Sequence, residues 1–280
     1  GIGAKVWMFS QGKMQYQQLM LTRGFQSSVE PVLHFGLGTT KYIDSLLVVW
    51  PNQKYQVLKN IPAVGKLTLD QRQAGGKFNY SSFFPVPPAS YEDITAQVGV
   101  NWAHRENDFL DYNVQYLIPH QQSTRGPKVA VADVNNDGLD DIYVCGAKGE
   151  TGRLMIQNGA GKFVATDSVV FSGARMSEEV DALFFDVNKD GYTDLYVVSG
   201  GNEALDGDSV LADHLYLYDG KGHFTPSKDG VPAILKNKSC VAMADIDKDG
   251  DTDLFVGGLA HAREYGMPQS SYLLLNDGKG

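Results

Sequence analysis

Three nine-residue runs hold most of the side chains that could do chemistry. They are Asp133-Val-Asn135-Asn-Asp137-Gly-Leu139-Asp-Asp141, Asp186-Val-Asn188-Lys-Asp190-Gly-Tyr192-Thr-Asp194 and Asp245-Ile-Asp247-Lys-Asp249-Gly-Asp251-Thr-Asp253. Each fits the pattern D-x-[DN]-x-D-G-x-x-D. Oxygen-bearing side chains at alternate positions of a tight loop converge on one point, and the glycine at position six takes a backbone angle that a Cβ resists. A donor set made only of oxygen suits Ca²⁺, which takes six to eight such ligands. The side chains at positions one, three, five and nine, with the carbonyl of position seven (Leu139, Tyr192 and Asp251), make a minimum set at each of three expected Ca²⁺ sites. Mg²⁺ is less suited, because it demands a rigid octahedron and keeps several waters. The third loop carries a fourth ligand carboxylate, Asp247, where the other two have asparagine. Ligand charge tunes calcium affinity, so the third site is expected to bind tightest. Lys248 opposes this at position four, but Lys189 occupies the same position in the second loop, which makes the comparison even.

These loops need strands to hold them. Each follows an apolar run (Val129–Ala132, Ala182–Phe185, Val241–Ala244) and precedes another (Ile142–Val144, Leu195–Val197, Leu254–Val256). Position twelve is Val144, Val197 and Val256, on those strands, which excludes the EF-hand with its bidentate glutamate and flanking helices. A Gly-rich turn echoes behind each loop: Leu154-Met-Ile-Gln-Asn158-Gly-Ala-Gly, Leu215-Tyr-Leu-Tyr-Asp219-Gly-Lys-Gly, and the start of a third at Leu273-Leu-Leu-Asn276-Asp-Gly-Lys-Gly280. Asn-Gly or Asp-Gly between apolar runs is a strong hairpin signal. The first aspartates lie 53 and 59 residues apart, so each unit holds about four strands. Tandem four-stranded units are the grammar of a β-propeller.

Ahead of the repeats, residues 1–75 read as short antiparallel strands: Lys5–Ser10, Met14–Thr22, Pro31–Phe35, Ser45–Trp50, Tyr55–Leu58 and Lys66–Leu69. Residues 76–125 are proline-rich and read as an irregular connector packing on the repeats, with a helical turn within Tyr91–Val98. The fold expected is all-β: a small antiparallel domain (1–75), the connector (76–125), and an open, partial propeller of three repeats (126–280), the third truncated and the remaining blades outside the chain.

Composition narrows the function. Lys and Arg number 24 against 33 Asp and Glu, a net charge of −9, which argues against a nucleic-acid partner and suits a collector of divalent cations. No apolar run approaches the roughly 18 residues of a membrane span. Cys145 and Cys240 cannot make a disulfide framework and read as small buried hydrophobes. The chain opens on Gly1 and stops inside a turn signal, as an internal segment of a longer protein would, so any signal peptide lies outside it.

With these motifs in view, residues 126–280 resemble the FG-GAP/VCBS repeats of integrin α-chain propellers and many bacterial secreted proteins. Residues 1–75 resemble the ASPIC/UnbV domain, through Gly3-Ala4-Lys5-Val6, Gly24-Phe25-Gln26-Ser27, His34-Phe35-Gly36-Leu37-Gly38 and Val49-Trp50-Pro51-Asn52. The next residue is Gln53, where that family usually has glycine. His104–Phe109, Leu117–His120 and Gly126-Pro127 also look like proteins that combine both modules. The resemblance implies calcium on one face of a propeller and says little about biochemical function.

Catalytic motifs are scarce. One group in the connector, His104, Glu106, Asp108, Asp111 and His120, could act as acid and base or hold a metal, though a polar connector capping turns also explains it. His34 reads as a core or edge histidine. The repeat aromatics Tyr143, Phe184, Phe185, Tyr196, Tyr216, Tyr218 and Phe255 read as packing between blades, with a glycan platform as the lesser alternative. Asn79 and Asn237 head glycosylation sequons. The expected function is a non-catalytic, calcium-binding extracellular or cell-surface module that binds a protein or glycan ligand or serves adhesion. Its expected location is secreted, periplasmic or cell surface. An enzyme or enzyme-assisting protein built on the connector group is the alternative, and a structural spacer is a third.

Overall fold

The computed structural model describes residues 1–63, 65–166 and 169–279 and is all-β, with only short helical turns. It divides into two compact units, Gly1–Tyr91 and Glu92–Gly280. Gly280, the end of the third Gly-rich turn, lies outside the described residues.

In the first unit, β1 (Lys5–Ser10), β2 (Lys13–Gln18), β5 (Tyr42–Val49) and β6 (Tyr55–Pro62) form an antiparallel sheet in the order β2-β1-β5-β6. The β1–β2 turn is Gln11-Gly12, both at positive φ, the two-residue geometry that matches strand twist. The run Leu46–Trp50 does not alternate because both faces of the sheet are covered. Ala4, Val6, Met8, Leu46, Val48 and Trp50 pack on one face with Leu33, Phe35 and Leu37. Trp7, Leu47 and Val49 pack on the other with Phe78, Phe83 and Phe84. There the Trp7–Phe78 and Phe78–Phe83 ring centroids lie 5.8 and 5.3 Å apart. The short helix α1 (Tyr80–Phe83) belongs to this cover.

Two expected strands are absent. Pro31–Phe35 is irregular: it lays Leu33 and Phe35 on the sheet. Side-chain amides of β2 take carbonyls of this segment and of the residue after it in place of a ladder, Gln17 donating to His34 O and Gln15 to Gly36 O at 2.7 Å. His34 itself is exposed, 3.5 Å from Glu30. Lys66–Leu69 is also irregular, with Leu69 on the core. The strand expected over Met14–Thr22 ends at Gln18, and a small hairpin, β3 (Thr22–Gly24) with β4 (Ser27–Ser28), follows. Gln53 sits at φ 62°, a left-handed angle that explains why glycine is usual at that position.

The second unit is a partial propeller. Its first residues form α2 (Thr95–Val98), where the Asp93 carboxylate accepts the Thr95 amide. Blade one is β7 (Val129–Ala132), β8 (Asp141–Val144), β9 (Arg153–Gln157) and β10 (Phe163–Ala165), paired in sequence. Blade two is β11 (Glu178–Phe185), β12 (Asp194–Gly200), β13 (His214–Tyr218) and β14 (Phe224–Ser227). Blade three is β15 (Lys238–Ala244), β16 (Asp253–Gly258) and β17 (Tyr272–Leu274). A single parallel bridge, Gly200 to Lys238, ties blades two and three.

The strand β12 is buried along its whole length. Leu195 and Val197 face blade one, in a core with Tyr143, Phe171, Phe184, Tyr216 and Tyr218. Tyr196 and Val198 face blade three, with Phe185, Leu254 and Val256. Alternation thus splits one apolar strand between two interfaces. Phe171, on a 3₁₀ turn, wedges between Tyr143 and Tyr216 at 5.3 and 5.0 Å. Phe255 departs from the expected packing: it is exposed, as are Met243 and Leu273 of blade three and Val129 and Val131 of blade one. Cys145 is buried as expected, whereas Cys240 is exposed.

Lys238 locks the second junction. Fully buried, it donates from Nζ to Leu211 O and to Ile234 O (2.6 Å), and it lies 3.2 Å from Asp213. Asp213 in turn accepts the Tyr196 hydroxyl at 2.7 Å and the Ser199 amide at 2.9 Å. Burial pushes the aspartate up and the lysine down in pKa despite their mutual attraction, so the pair does not recover its full desolvation cost. Removing one partner is worse, because it strands a buried charge. Lys238→Ala is expected to cost about 3–5 kcal/mol in urea denaturation. Truncating Lys59, an exposed lysine on β6 of the first unit, is expected to cost less than about 1 kcal/mol in the same measurement.

Candidate metal centres

The three acidic runs join β7 to β8, β11 to β12 and β15 to β16, so they lie at the same end of their blades. The Gly-rich hairpins between β9 and β10 and between β13 and β14 return to that end. The loops share a backbone signature. Position six is glycine at φ 86°, 86° and 91° (Gly138, Gly191, Gly250). Position four is also left-handed without being glycine: Asn136, Lys189 and Lys248 lie at φ 58°, 59° and 65°. Asparagine tolerates that region, but lysine is strained there.

Side chains of the loop stitch its own backbone. Asp133 accepts the Asp137 and Gly138 amides at 3.0 and 2.8 Å, and Asp186 accepts those of Asp190 and Gly191 at 3.2 and 2.9 Å. Asp245 accepts the Gly250 amide at 3.1 Å. The position-five carboxylates of Asp137, Asp190 and Asp249 accept the position-seven amides of Leu139, Tyr192 and Asp251, each at 2.9 Å. Asn135 and Asn188 each accept the position-five amide at 3.1 Å and donate from Nδ2 to the position-five carboxylate, at 3.1 and 3.0 Å. Asp247 accepts the Asp249 amide at 3.2 Å.

The ninth aspartate does something the spacing does not reveal. Asp141, Asp194 and Asp253 are 0, 0 and 1% exposed. One oxygen of each accepts a position-two amide: Val134 at 3.0 Å, Val187 at 3.0 Å and Ile246 at 2.8 Å. The other accepts an amide at or just past the far end of the next strand: Gln157, Tyr218 and Asn276, each at 2.8 Å. Each such carboxylate therefore ties its loop to the Gly-rich turn beside it. Burial, and the two nearby loop carboxylates, raise the Asp141 pKa and push Asp194 to about 6, against the lowering by their amide partners. Asp253 goes the other way, lowered by the Asn276 and Ile246 amides.

Among the described residues only the third loop brings three carboxylates together, with Asp245, Asp247 and Asp253 oxygens all within 4.8 Å of one another. In the other two loops an asparagine replaces the aspartate and turns an N–H toward position five. For Asp247 the Asp249 amide lowers the pKa, but burial and the charges of Asp249 and Asp253 outweigh it and raise the carboxyl. Lys189, from position four of the second loop, is ion-paired with Asp251 of the third, and its pKa is raised by that contact and by the Asp249 and Asp245 charges. The two position-four lysines are therefore not equivalent, as the spacing alone implied: the second loop's lysine lends its charge to the third. Tyr192 packs 6.3 Å from Tyr218, and its ring lies where a Cβ on Gly220 would fall, which reserves that hairpin position for glycine.

The connector group does not assemble as one site. His104 Nε2 lies 2.6 Å from Glu106 Oε1, both largely buried. Asp108 is exposed, and His120 packs on Tyr265 at 6.4 Å. Asp111 is buried in a backbone knot, accepting the amides of Gln122 and Ser123, the Ser123 hydroxyl and Asn202 Nδ2 at 2.6 Å. Nearby in the same unit, at the blade ends opposite the loops, sit buried acids that no motif signalled. Glu179 accepts the Tyr143 hydroxyl at 3.0 Å and the Gly146 amide at 2.7 Å, and Glu178 accepts the Lys148 amide at 2.7 Å. Lys148 Nζ lies 3.0 Å from Glu203. Desolvation raises Glu178 to about 8 and Glu179 to about 7. Two adjacent glutamates opening a strand that ends in the apolar run Ala182–Phe185 were the available cue. Of the two sequons, Asn79 is exposed and caps α1, while Asn237 is buried.

Residues 1–76 match the family model described as ASPIC and UnbV. Residues 133–197 and 186–256 match that of the FG-GAP-like repeat, each span running from one acidic loop into the strand behind the next. No curated protein matches the chain. Among the described residues no helix is long and apolar enough to cross a membrane.

With chelator present, Asp194→Ala orphans two amides and is expected to lose about 2–5 kcal/mol of stability in urea, while Asp190→Ala loses under about 1 kcal/mol. Glu178 holds its proton more tightly folded than unfolded, so its contribution is fully present below the unfolded value near 4.5 and is lost as pH rises toward about 8. Glu178→Gln keeps an acceptor for the Lys148 amide and cannot ionise. The melting temperature of the variant is expected to gain on the native chain between about pH 5 and about pH 8, checked by scanning calorimetry across that window.

Proposed function

We propose that this chain, which joins an ASPIC and UnbV segment to FG-GAP-like repeats, is a calcium-stiffened module that acts outside the cell or at its surface by binding a protein or glycan ligand. The observation that carries the metal is the convergence of Asp245, Asp247 and Asp253. Carboxylates this close repel one another, and a divalent cation between them turns that cost into attraction. The donors fit the ion: they are oxygens only, with no imidazole or thiolate in the loop, the set a hard cation takes. Asp245, Asp247, Asp249 and Asp253 would hold it, with the Asp251 carbonyl. Asp133, Asn135, Asp137 and Asp141 with Leu139, and Asp186, Asn188, Asp190 and Asp194 with Tyr192, would hold two more. A bound ion supplies charge neutralisation and a cross-link within each blade. Calcium at millimolar levels outside cells matches the affinity range of extracellular modules, and FG-GAP repeats are typical of extracellular proteins.

A second reading, an enzyme or enzyme-assisting protein, has one observation in its favour, the largely buried His104–Glu106 pair at 2.6 Å. Such a pair can shuttle a proton. It would need a substrate beside it, and His120 does not join it.

Calcium titration of the chelated chain tests the main reading. Each site filled to a hundredfold above its Kd is expected to add about 2.7 kcal/mol, so millimolar calcium raises the melting temperature of the repeats and chelator reverses it. Identical melting curves would refute the assignment. In calorimetric titration the third loop is expected to bind tightest, Asp247→Asn to weaken it toward the second, and Lys189→Met to tighten it by removing a competing cation.

A further inference from the structure

At the end of the second unit opposite the acidic loops, three segments close on one open cleft of about 470 Å³. They are the stretch 101–105, the link from β8 into the start of β9, and the 3₁₀ turn leading to β11. The walls carry Arg105, Arg153, Arg175, Trp102, Glu150 and Ser172.

Three guanidiniums against one carboxylate is the reverse of the chain's own composition, which has 24 basic and 33 acidic residues. Among the described residues none of the three is ion-paired. Arg175 Nε donates to Gly149 O at 2.6 Å. Glu150 is turned to the Arg105 backbone amide at 3.2 Å rather than to a guanidinium. Arg153 Nε is shut off from solvent with no hydrogen-bond partner. Gathering like charges around a concavity is costly unless an anion joins them. Guanidinium forks match the planar or tetrahedral oxygens of carboxylate, sulfate and phosphate. Trp102 is half-buried and adds a flat apolar wall. The space exceeds what a bare inorganic anion fills and lies in the range of small-ligand sites.

We propose that this cleft binds a small organic oxyanion, a carboxylate, sulfate or phosphate ester, whose uncharged body lies on Trp102 while Arg105, Arg153 and Arg175 hold the anionic group. The site needs no metal and lies at the other end of the blades from the acidic loops, so it stands or falls independently of calcium.

The probes are glucuronate and phenyl phosphate, with glucose as the uncharged control, titrated into the full chain with calcium and again with chelator. Trp7 and Trp50 are buried at 6 and 7% exposure in the first unit, so a change in indole emission reports on Trp102. At least one anionic probe is expected to bind below about 10 mM, glucose not at all, with affinity falling as salt rises and unaffected by chelator. Glucuronate alone binding would point to acidic sugars as the source, and phenyl phosphate alone to phosphate esters. Arg105→Glu, at an exposed position, is expected to weaken binding at least about tenfold with unchanged melting, and Arg153→Gln similarly. Trp102→Phe is expected to silence the emission change while calorimetry still detects binding. Absence of binding by both anions, or equal binding by Arg105→Glu, would overturn the proposal.

Discussion

The second unit depends on one repeated interaction: a buried carboxylate that turns each of its oxygens to a different backbone amide. Asp141, Asp194 and Asp253 occupy the same place in successive blades, between the acidic loop and the neighbouring Gly-rich turn. A side chain used this way replaces a pair of ladder bonds where the strands have ended. It also sets where the loop sits, because the position-two residue whose amide it accepts places Val134 and Val187 into the cores between blades. Charge at the loop and apolar packing below it are thus coupled through a single residue. In Asp141 and Asp194 burial costs desolvation that the amide partners recover only in part, and their carboxyls are raised, whereas in Asp253 the amide bonds prevail and the carboxyl is lowered.

The two blade ends have opposite characters. The loop end gathers exposed carboxylates on short turns, with Lys189 crossing from one loop to the next. The other end carries the buried ion pair and polar knots that join one blade to the next, beside the open arginine cleft. Lys238 and Asp213 lock blades two and three, Glu179 holds Tyr143 and Gly146 between blades one and two, and Asp111 and Asn202 pin the residues ahead of the first blade. Buried polar contacts of this kind add little net stability but are sharply directional, and they fix how one blade meets the next. Apolar packing supplies the bulk of the cohesion: β12 alone feeds the cores on both of its faces.

Much of this was legible in the sequence because it is local. Strand, loop, strand and Gly-rich turn recur within each unit, and left-handed angles at Gly138, Gly191 and Gly250 follow from the residue type. The first unit was less legible. Pro31–Phe35 has strand-like residues, but the His34 carbonyl and that of the following Gly36 are taken by the Gln17 and Gln15 side chains, a contact that no local pattern encodes. Phe78, Phe83 and Phe84, in a stretch that reads as connector, cover the Trp7 face because an antiparallel sheet with two apolar faces must bury both.

The sequence by itself determined the repeat, its blade-like units and the identity of nearly every oxygen at the loop end, since each depends on residue types a few positions apart. Only the tertiary structure decided what those groups do. It made the ninth aspartate a bridge to another strand, sent Lys189 to the third loop rather than its own, separated His104 and Glu106 from His120, and drew Arg105, Arg153 and Arg175 to one cleft. The reason is range. Backbone angles and turn chemistry act over a few residues, whereas burial and charge act through space, between segments that meet only once the blades have packed.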